Sequence, residues 1–207
     1  MTDSHLSSTR KQERGLLRQE SMLDAFLVVA AQHGILNLSL EQIATHIGVA
    51  KATIYKHFSS KDEVIAGVYL RFYQPLWSKF SVLPMQMPVI PKLRLMARLY
   101  CEHHLEDPEV GALIMSCKHF VEESKLSPAF AERWRDFQEQ RVILAQTIMI
   151  RGIEEQLFRP IDAKVMSEIG IRMLDGVLTC MYEMESSQQD QLLLQAEDML
   201  IKCFMRV

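Results

Sequence analysis

Apolar residues recur every three to four positions through almost the whole chain, and no segment sustains the strict alternation of a half-buried strand. The chain therefore reads as all-α, with about nine helices. The first is expected from about Lys11 or Arg18 to His33, with Leu16, Leu23, Phe26, Leu27, Ala30 and Ala31 on one face and Gly34 as its left-handed stop. Ser39 opens a short second helix: its hydroxyl can accept the N–H of Gln42 while the Gln42 side chain reaches back to the Ser39 N–H. Gly48 permits a sharp turn, and a third helix covers roughly Ala50 to His57. A fourth, capped by Ser59 or Ser60, continues towards Phe80. The three prolines between Val82 and Pro91 predict a loop. Further helices follow at about 92–106, 108–124, 128–157, 162–185 and 188–206, bounded by Pro108, Ser127-Pro128, Arg159-Pro160 and the polar run Ser186 to Gln189.

The stretch Ser39 to Phe58 reads SLEQIATHIGVAKATIYKHF. Two short helices about a glycine-centred turn, with a small residue at the crossing, are what a helix-turn-helix requires. Ala44 is that small residue, and Ile43, Ile47, Val49 and Ile54 can lock the crossing from inside. The outer side of the second helix is then Lys51, Ala52, Thr53, Tyr55, Lys56 and His57. Small, hydroxylated, aromatic and basic side chains of this kind suit a surface pressed into a major groove. Singly, each lysine reads equally as an ordinary solvated residue and Thr53 or Tyr55 as packing; the whole pattern favours DNA. His57 is either a helix-terminal residue or a groove contact. Glu41 either meets a cytosine amino group or serves the helix dipole.

Charge sharpens this picture. The chain of 207 residues carries a net charge of −3, yet from Arg10 to Lys61 seven Lys/Arg stand against four Asp/Glu. A cationic segment on an otherwise acidic protein suits local contact with a polyanion. The basic N-terminal residues Arg10, Lys11, Arg14 and Arg18 either reach a neighbouring groove or stay solvated. The polar start is unlike a signal peptide, and no apolar run has the length of a bilayer span, so the expected setting is the cytoplasm. The four cysteines lack C-x-x-C spacing and three lie in apolar stretches, as buried free thiols do.

The segment from about Met22 to Val64 resembles the tetracycline-repressor (TetR) family of bacterial regulators. The matching residues are Leu23-Asp24-Ala25, Ala30, Gly34, Ile43-Ala44, Gly48-Val49, Thr53-Ile54-Tyr55, His57-Phe58 and Ser60-Lys61-Asp62-Glu63. The resemblance implies a sequence-specific DNA-binding regulator whose recognition helix (about Ala50 to His57) enters the major groove. It places Lys51 and Ala52 near base edges, with Lys51 the best candidate for direct readout of guanine. It makes Tyr55, Thr53 and Lys61 phosphate contacts, and Ser39 a phosphate neighbour at a helix N-terminus. Two departures stand out: Ala52 where the family usually has glycine, and Ala50 where a capping serine is common.

The resemblance further implies a flexible basic arm (1–14), a DNA-binding domain (15–75) and an effector-binding and dimerisation domain (76–207). A homodimer through the last two helices (about 162–206) would meet a palindromic duplex with recognition helices about 34–36 Å apart. Apolar stripes at Met166, Ile169, Met173, Leu174, Val177, Leu178 and Met181, and at Leu192, Leu193, Ala196, Met199, Leu200, Cys203 and Phe204, serve either a dimer or a single-chain core. Repression released by a small, mainly apolar effector is the family expectation. Tyr69, Phe72, Trp77, Tyr100, His103, Met115, His119, Phe120, Trp134, Phe137 and Met149 either line its cavity or fill the core. No cofactor is expected. Cys101, His103, His104, Cys117 and His119 lack standard zinc spacing, so no metal is expected either. No Gly-rich phosphate loop, nucleophile elbow or H-E-x-x-H suggests an enzyme. The alternative is a helical protein-interaction module, or an activator without a small-molecule ligand.

Overall fold

The computed structural model describes the backbone of residues 3–206 and the side chains of residues 15 and 17–206. It is all-α: α1 (Asp3–His33), α2 (Leu40–Ile47), α3 (Lys51–Tyr55), α4 (Lys61–Ser81), α5 (Val89–Leu105), α6 (Pro108–Cys117), α7 (Pro128–Glu154), α8 (Ala163–Tyr182) and α9 (Ser186–Phe204). Two 3₁₀ turns, Lys118–Phe120 and Glu123–Lys125, lie between α6 and α7. Among the described residues the one β contact is a single bridge between Phe158 and Met205. None of the described helices is long and apolar enough to cross a membrane.

The chain divides into two compact units: residues 1–71 with 116–132, and residues 72–115 with 133–207. The expected break between 75 and 76 did not anticipate that 116–132 would join the first unit. In that unit α1 packs on α2 and α2 on α3. The helix begins earlier than the expected Lys11 or Arg18; the side chains of Arg10, Lys11, Arg14 and Leu16 lie outside the described residues, and Arg18 is exposed. Met22, Leu23, Phe26, Val29 and Ala30 are buried, whereas Leu27 is half-buried and Ala31 exposed, so the apolar stripe is rotated from the expected one.

Other departures have local causes. Helix α5 starts at Val89 with Pro91 in its first turn, where a missing N–H costs nothing because the first N–H groups of a helix have no intrahelical partner. The expected helix over 108–124 stops at Cys117. Beyond it the Asp62 carboxylate accepts the Glu122 N–H (2.9 Å) and Glu63 accepts the Ser127 N–H (2.7 Å). These donors are satisfied without a helix. Helix α7 ends at Glu154, and Gln156 adopts a left-handed φ of 59° as the chain turns towards Phe158.

In the second unit, α5 packs on α8 and α9, which pack on each other. One core cluster gathers Ile148, Met149, Phe158, Met166, Leu200 and Phe204 among others. A second holds Cys101, Leu178, Met181 and Leu193. Cys101 and Cys117 are buried, and burial pushes both thiols up to about 12. Cys180 and Cys203 are exposed, unlike the buried thiols expected from apolar surroundings. Their positions turn towards the outer faces of α8 and α9, which also expose Val165, Ile169 and Met199.

Candidate functional site

The helix-turn-helix is assembled by short-range rules. Ser39 Oγ accepts the Gln42 N–H at 3.2 Å, and Gln42 Oε1 accepts the Ser39 N–H at 2.7 Å, so both halves of the capping box are made. Gly48 has φ 76°, a conformation costly for any residue with a Cβ, and its N–H reaches the Ala44 and Thr45 carbonyls. The Val49 N–H follows to Ala44 at 3.0 Å. With the turn closed, Ile43, Ala44 and Ile54 are buried at the crossing of α2 and α3. Ile47 and Val49 are half-buried.

Ala50 caps α3 with no side-chain hydrogen bond, as its missing hydroxyl dictates. The helix ends at Tyr55, two residues short of the expected His57. The N–H groups of His57 and Phe58 both turn back to the Ile54 carbonyl at 2.9 Å. That tight exit sends Phe58 into the core, 5.9 Å from the Phe130 ring.

Lys51, Ala52, Tyr55 and Lys56 are therefore exposed, and Thr53 and His57 half-buried. Tyr55 retains 48% of its surface. The Lys51 ammonium lies 5.8 Å from the Tyr55 ring centroid, a cation–π distance. It also forms an ion pair with the exposed Glu41, a pairing across the turn that the sequence reading missed. The neighbouring carboxylate raises the Lys51 pKa. Lys61 is half-buried and its Nζ donates to the Leu36 carbonyl at 3.1 Å. Burial lowers its pKa, against the opposing charge of Asp62. A cleft beside α3 is lined by Arg18 and Ser21 of α1 together with Ala50 and Thr53. The result is a projecting surface of amines, hydroxyls and the Tyr55 ring, with this cleft at its edge.

The second unit holds an apolar cavity of about 120 Å³. Four of the expected residues line it: Trp77, Tyr100, Phe137 and Met149. Tyr73, Leu76, Phe80 and Met96 line it as well, with Arg141 the cationic member of the wall. The remaining expected residues lie elsewhere. Tyr69 is buried in the first unit, and His119 and Phe120 occupy the 3₁₀ turn there, exposed and half-buried. Phe72 packs against the His103 and His104 rings at 4.4 and 5.0 Å, and His103 Nε2 donates to the Phe72 carbonyl at 2.7 Å. Met115 packs against the Cys101 cluster, and Trp134 is buried outside the cavity lining. Helical spacing marked these residues as inward-facing but carried no sign of which faced a void.

Behind the wall, fully buried His104 places Nε2 2.9 Å from the Tyr73 hydroxyl and Nδ1 2.8 Å from the Tyr182 hydroxyl. Burial, helped by the nearby His103, lowers its pKa to about 4, so the ring is neutral and donates through one nitrogen while accepting through the other. Among the described residues, no group of three or more His, Cys, Asp or Glu side chains is arranged to hold a metal.

Residues 22–68 match the family of bacterial regulatory proteins called the tetR family. The nucleoid occlusion factor SlmA of Vibrio atlanticus (strain LGP32) is 21% identical over 174 residues, covering 84% of this chain and 86% of that protein. Among solved structures, the TetR family transcriptional regulator PfmR of Thermus thermophilus superposes with a TM-score of 0.67 at 17% identity, over 87% of this chain and 97% of that one. AibR, in complex with isovaleryl coenzyme A and operator DNA, superposes with a TM-score of 0.65 at 16% identity, over 89% and 98%. Residues 22–68 thus carry the helix-turn-helix of the tetR family of bacterial regulatory proteins, and the chain shares the fold of solved TetR-family regulators.

Proposed function

We propose that this protein acts as a homodimeric repressor that binds a palindromic operator in the cytoplasm and is released by a small, mainly apolar effector. The observation that carries the DNA half is the outward projection of Lys51 and Tyr55 from α3, directly after the Gly48 turn. Lys51 and Ala52 then meet base edges in the major groove. Tyr55, Thr53, Lys56 and His57 approach the backbone, Lys61 follows at the start of α4, and Ser39 adds its hydroxyl at the start of α2. The first unit is assigned to DNA, and the second to effector and dimer.

Support for the effector comes from the cavity, whose wall is aromatic and aliphatic apart from a few groups such as Arg141 and Ser167. Its volume suits an apolar group near the size of a benzene ring, given that an apolar void of about 150 Å³ takes up benzene. AibR is seen in complex with isovaleryl coenzyme A and operator DNA, and binding of both a small molecule and DNA is extended here to this chain. For the dimer, exposed Val165 and Ile169 on α8 and Met199 on α9 are apolar side chains for which a second copy is the natural cover.

Selection of genomic fragments by the purified protein tests the DNA reading. Recovery of a common two-fold symmetric sequence is expected; fragments without a shared sequence would defeat it. Native mass spectrometry of the purified protein tests dimer and effector together. A two-subunit species carrying a small apolar molecule is expected; a bare single-subunit species would count against both.

A further inference from the structure

Two cations around α3 are already engaged within the protein: Lys51 with the Glu41 carboxylate and Lys61 with the Leu36 carbonyl. Arg18 of α1 is exposed and makes no ion pair or hydrogen bond among the described residues. It borders the cleft beside α3, which has a volume of about 350 Å³. The lining joins apolar Met22, Ile47 and Val49 with polar Arg18, Ser21 and Thr53. Ser21 Oγ donates to the Leu17 carbonyl at 3.0 Å, so the side-chain donors left to the cleft are the Arg18 guanidinium and the Thr53 hydroxyl. No Asp or Glu lines it, and the acidic neighbours on α1, Glu20 and Asp24, both pair with Arg71. At about 100° per residue, Ala50 and Thr53 lie on one flank of α3 and Lys51 and Tyr55 on the other. A helix lying in a major groove has a sugar-phosphate strand along each flank.

We propose that Arg18 is a positioning residue which, with Thr53 across the cleft, grips one sugar-phosphate unit on the α1 flank of α3. This rests on the DNA-binding reading above. The guanidinium fork matches two phosphate oxygens, and the Thr53 hydroxyl supplies a further donor from α3 itself. The apolar lining accepts the C–H face of the deoxyribose. Arg18 has no internal ion pair to break, so its contact keeps the whole gain from counterion release. A phosphate contact carries no base information, but it fixes register, and here it fixes where Lys51 lands. Arg18 therefore serves the groove that α3 itself occupies and not a neighbouring one.

The test uses the full chain, a duplex selected from genomic DNA and a scrambled duplex of the same length and composition. Affinities are read by fluorescence anisotropy across a salt series for the wild type, Arg18→Ala and Arg18→Lys. Arg18→Ala is expected to weaken both duplexes alike, by about three- to tenfold near 0.1 M salt, and to lower the salt slope by about one unit. Arg18→Lys should keep most of the slope, because it keeps the charge, and lose part of the affinity with the fork. A single methylphosphonate, which removes one phosphate charge, is then walked along both strands of the selected duplex. One position should weaken the wild type and leave Arg18→Ala nearly unaffected, and it should lie beside the base pairs at which Lys51→Ala relaxes preference. Loss confined to the selected duplex would make Arg18 a base reader and overturn the proposal. A coupled phosphate across the minor groove, no coupled phosphate at all, or an Arg18→Lys slope as low as that of Arg18→Ala would overturn it too. A wild type that selects its duplex while Arg18→Ala changes nothing rejects this inference and leaves the DNA-binding reading standing. A wild type that binds neither duplex rejects both.

Discussion

Glu63 and Ser127, sixty-four residues apart in sequence, are joined by a 2.7 Å hydrogen bond from the Ser127 N–H to the Glu63 carboxylate. The other carboxylate oxygen accepts the Ser59 N–H, and the neighbouring Asp62 accepts the Glu122 N–H. Ser60 Oγ in turn donates to the Lys125 carbonyl at 2.8 Å. One short acidic step at the start of α4 thus holds both the exit from the helix-turn-helix and the irregular segment between α6 and α7.

Glu63 is 2% exposed, so removing its acceptors leaves the part-buried Ser59 and Ser127 N–H groups without their partner. Glu63→Ala is expected to destabilise the protein by about 2–4 kcal/mol, and Glu63→Gln by less, since the amide keeps one acceptor. Urea unfolding checks both. Burial raises the Glu63 pKa, but the hydrogen bonds from Ser127 and Ser59 outweigh it and the net shift is downward. A carboxylate with a lowered folded-state pKa supports the fold above its unfolded pKa, and that support is lost as pH falls through the folded value. Wild type should therefore lose more stability than Glu63→Gln on acidification below the ordinary glutamate range.

His104 sets a second, higher window. An unfolded imidazole takes up its proton near 6.5, whereas buried His104 does so only near about 4. The folded state binds fewer protons between these values, so stability is full above about 6.5 and falls as pH drops towards 4. His104→Leu should flatten the dependence of Tm on pH over that interval. At neutral pH it should also cost about 2–5 kcal/mol, because the Tyr73 and Tyr182 hydroxyls each lose a partner. A His104→Leu curve as steep as that of the wild type would mean that another group titrates there.

Two glycines should respond oppositely to the same substitution. A Cβ on Gly111 would lie 2.3 Å from the His104 carbonyl oxygen and 2.8 Å from the Tyr182 hydroxyl, so Gly111→Ala must push α6 away from α5. A loss of about 1–3 kcal/mol is expected. A Cβ on Gly170 meets only ordinary contacts, the nearest at 3.7 Å, within α8 and on the cavity wall. Gly170→Ala should gain up to about 1 kcal/mol from helix propensity. Thermal melts of the two variants give the signs directly.

These residues also show what could be read without coordinates. The Ser39–Gln42 capping box, the Gly48 turn and the outward face of α3 follow rules acting over a few residues, and a single sequence exposes them. The segment after Cys117 does not follow such rules: helical spacing continues to residue 124, but Asp62 and Glu63, some sixty residues away, claim its N–H groups. Tyr69 and Tyr73 share one face of α4, yet only Tyr73 borders the cavity, because a void is created by what faces a side chain and not by its own periodicity. The Glu41–Lys51 pair lies between these cases. Both residues are legible in the sequence as members of the surface proposed to face DNA, but their contact depends on the crossing of α2 and α3.

In the proposed function, regulation depends on the exposed side of α3 discriminating between duplexes. The most direct measurement is the affinity of the intact protein for its genome-selected duplex and a scrambled one, from about 50 to 200 mM salt, beside Tyr55→Ala and Lys51→Ala. Steeply salt-dependent, selective binding is predicted, with Tyr55→Ala weakening both duplexes alike and Lys51→Ala narrowing the gap between them. Equal affinity of the wild type for both duplexes, or variants indistinguishable from it, would contradict that dependence.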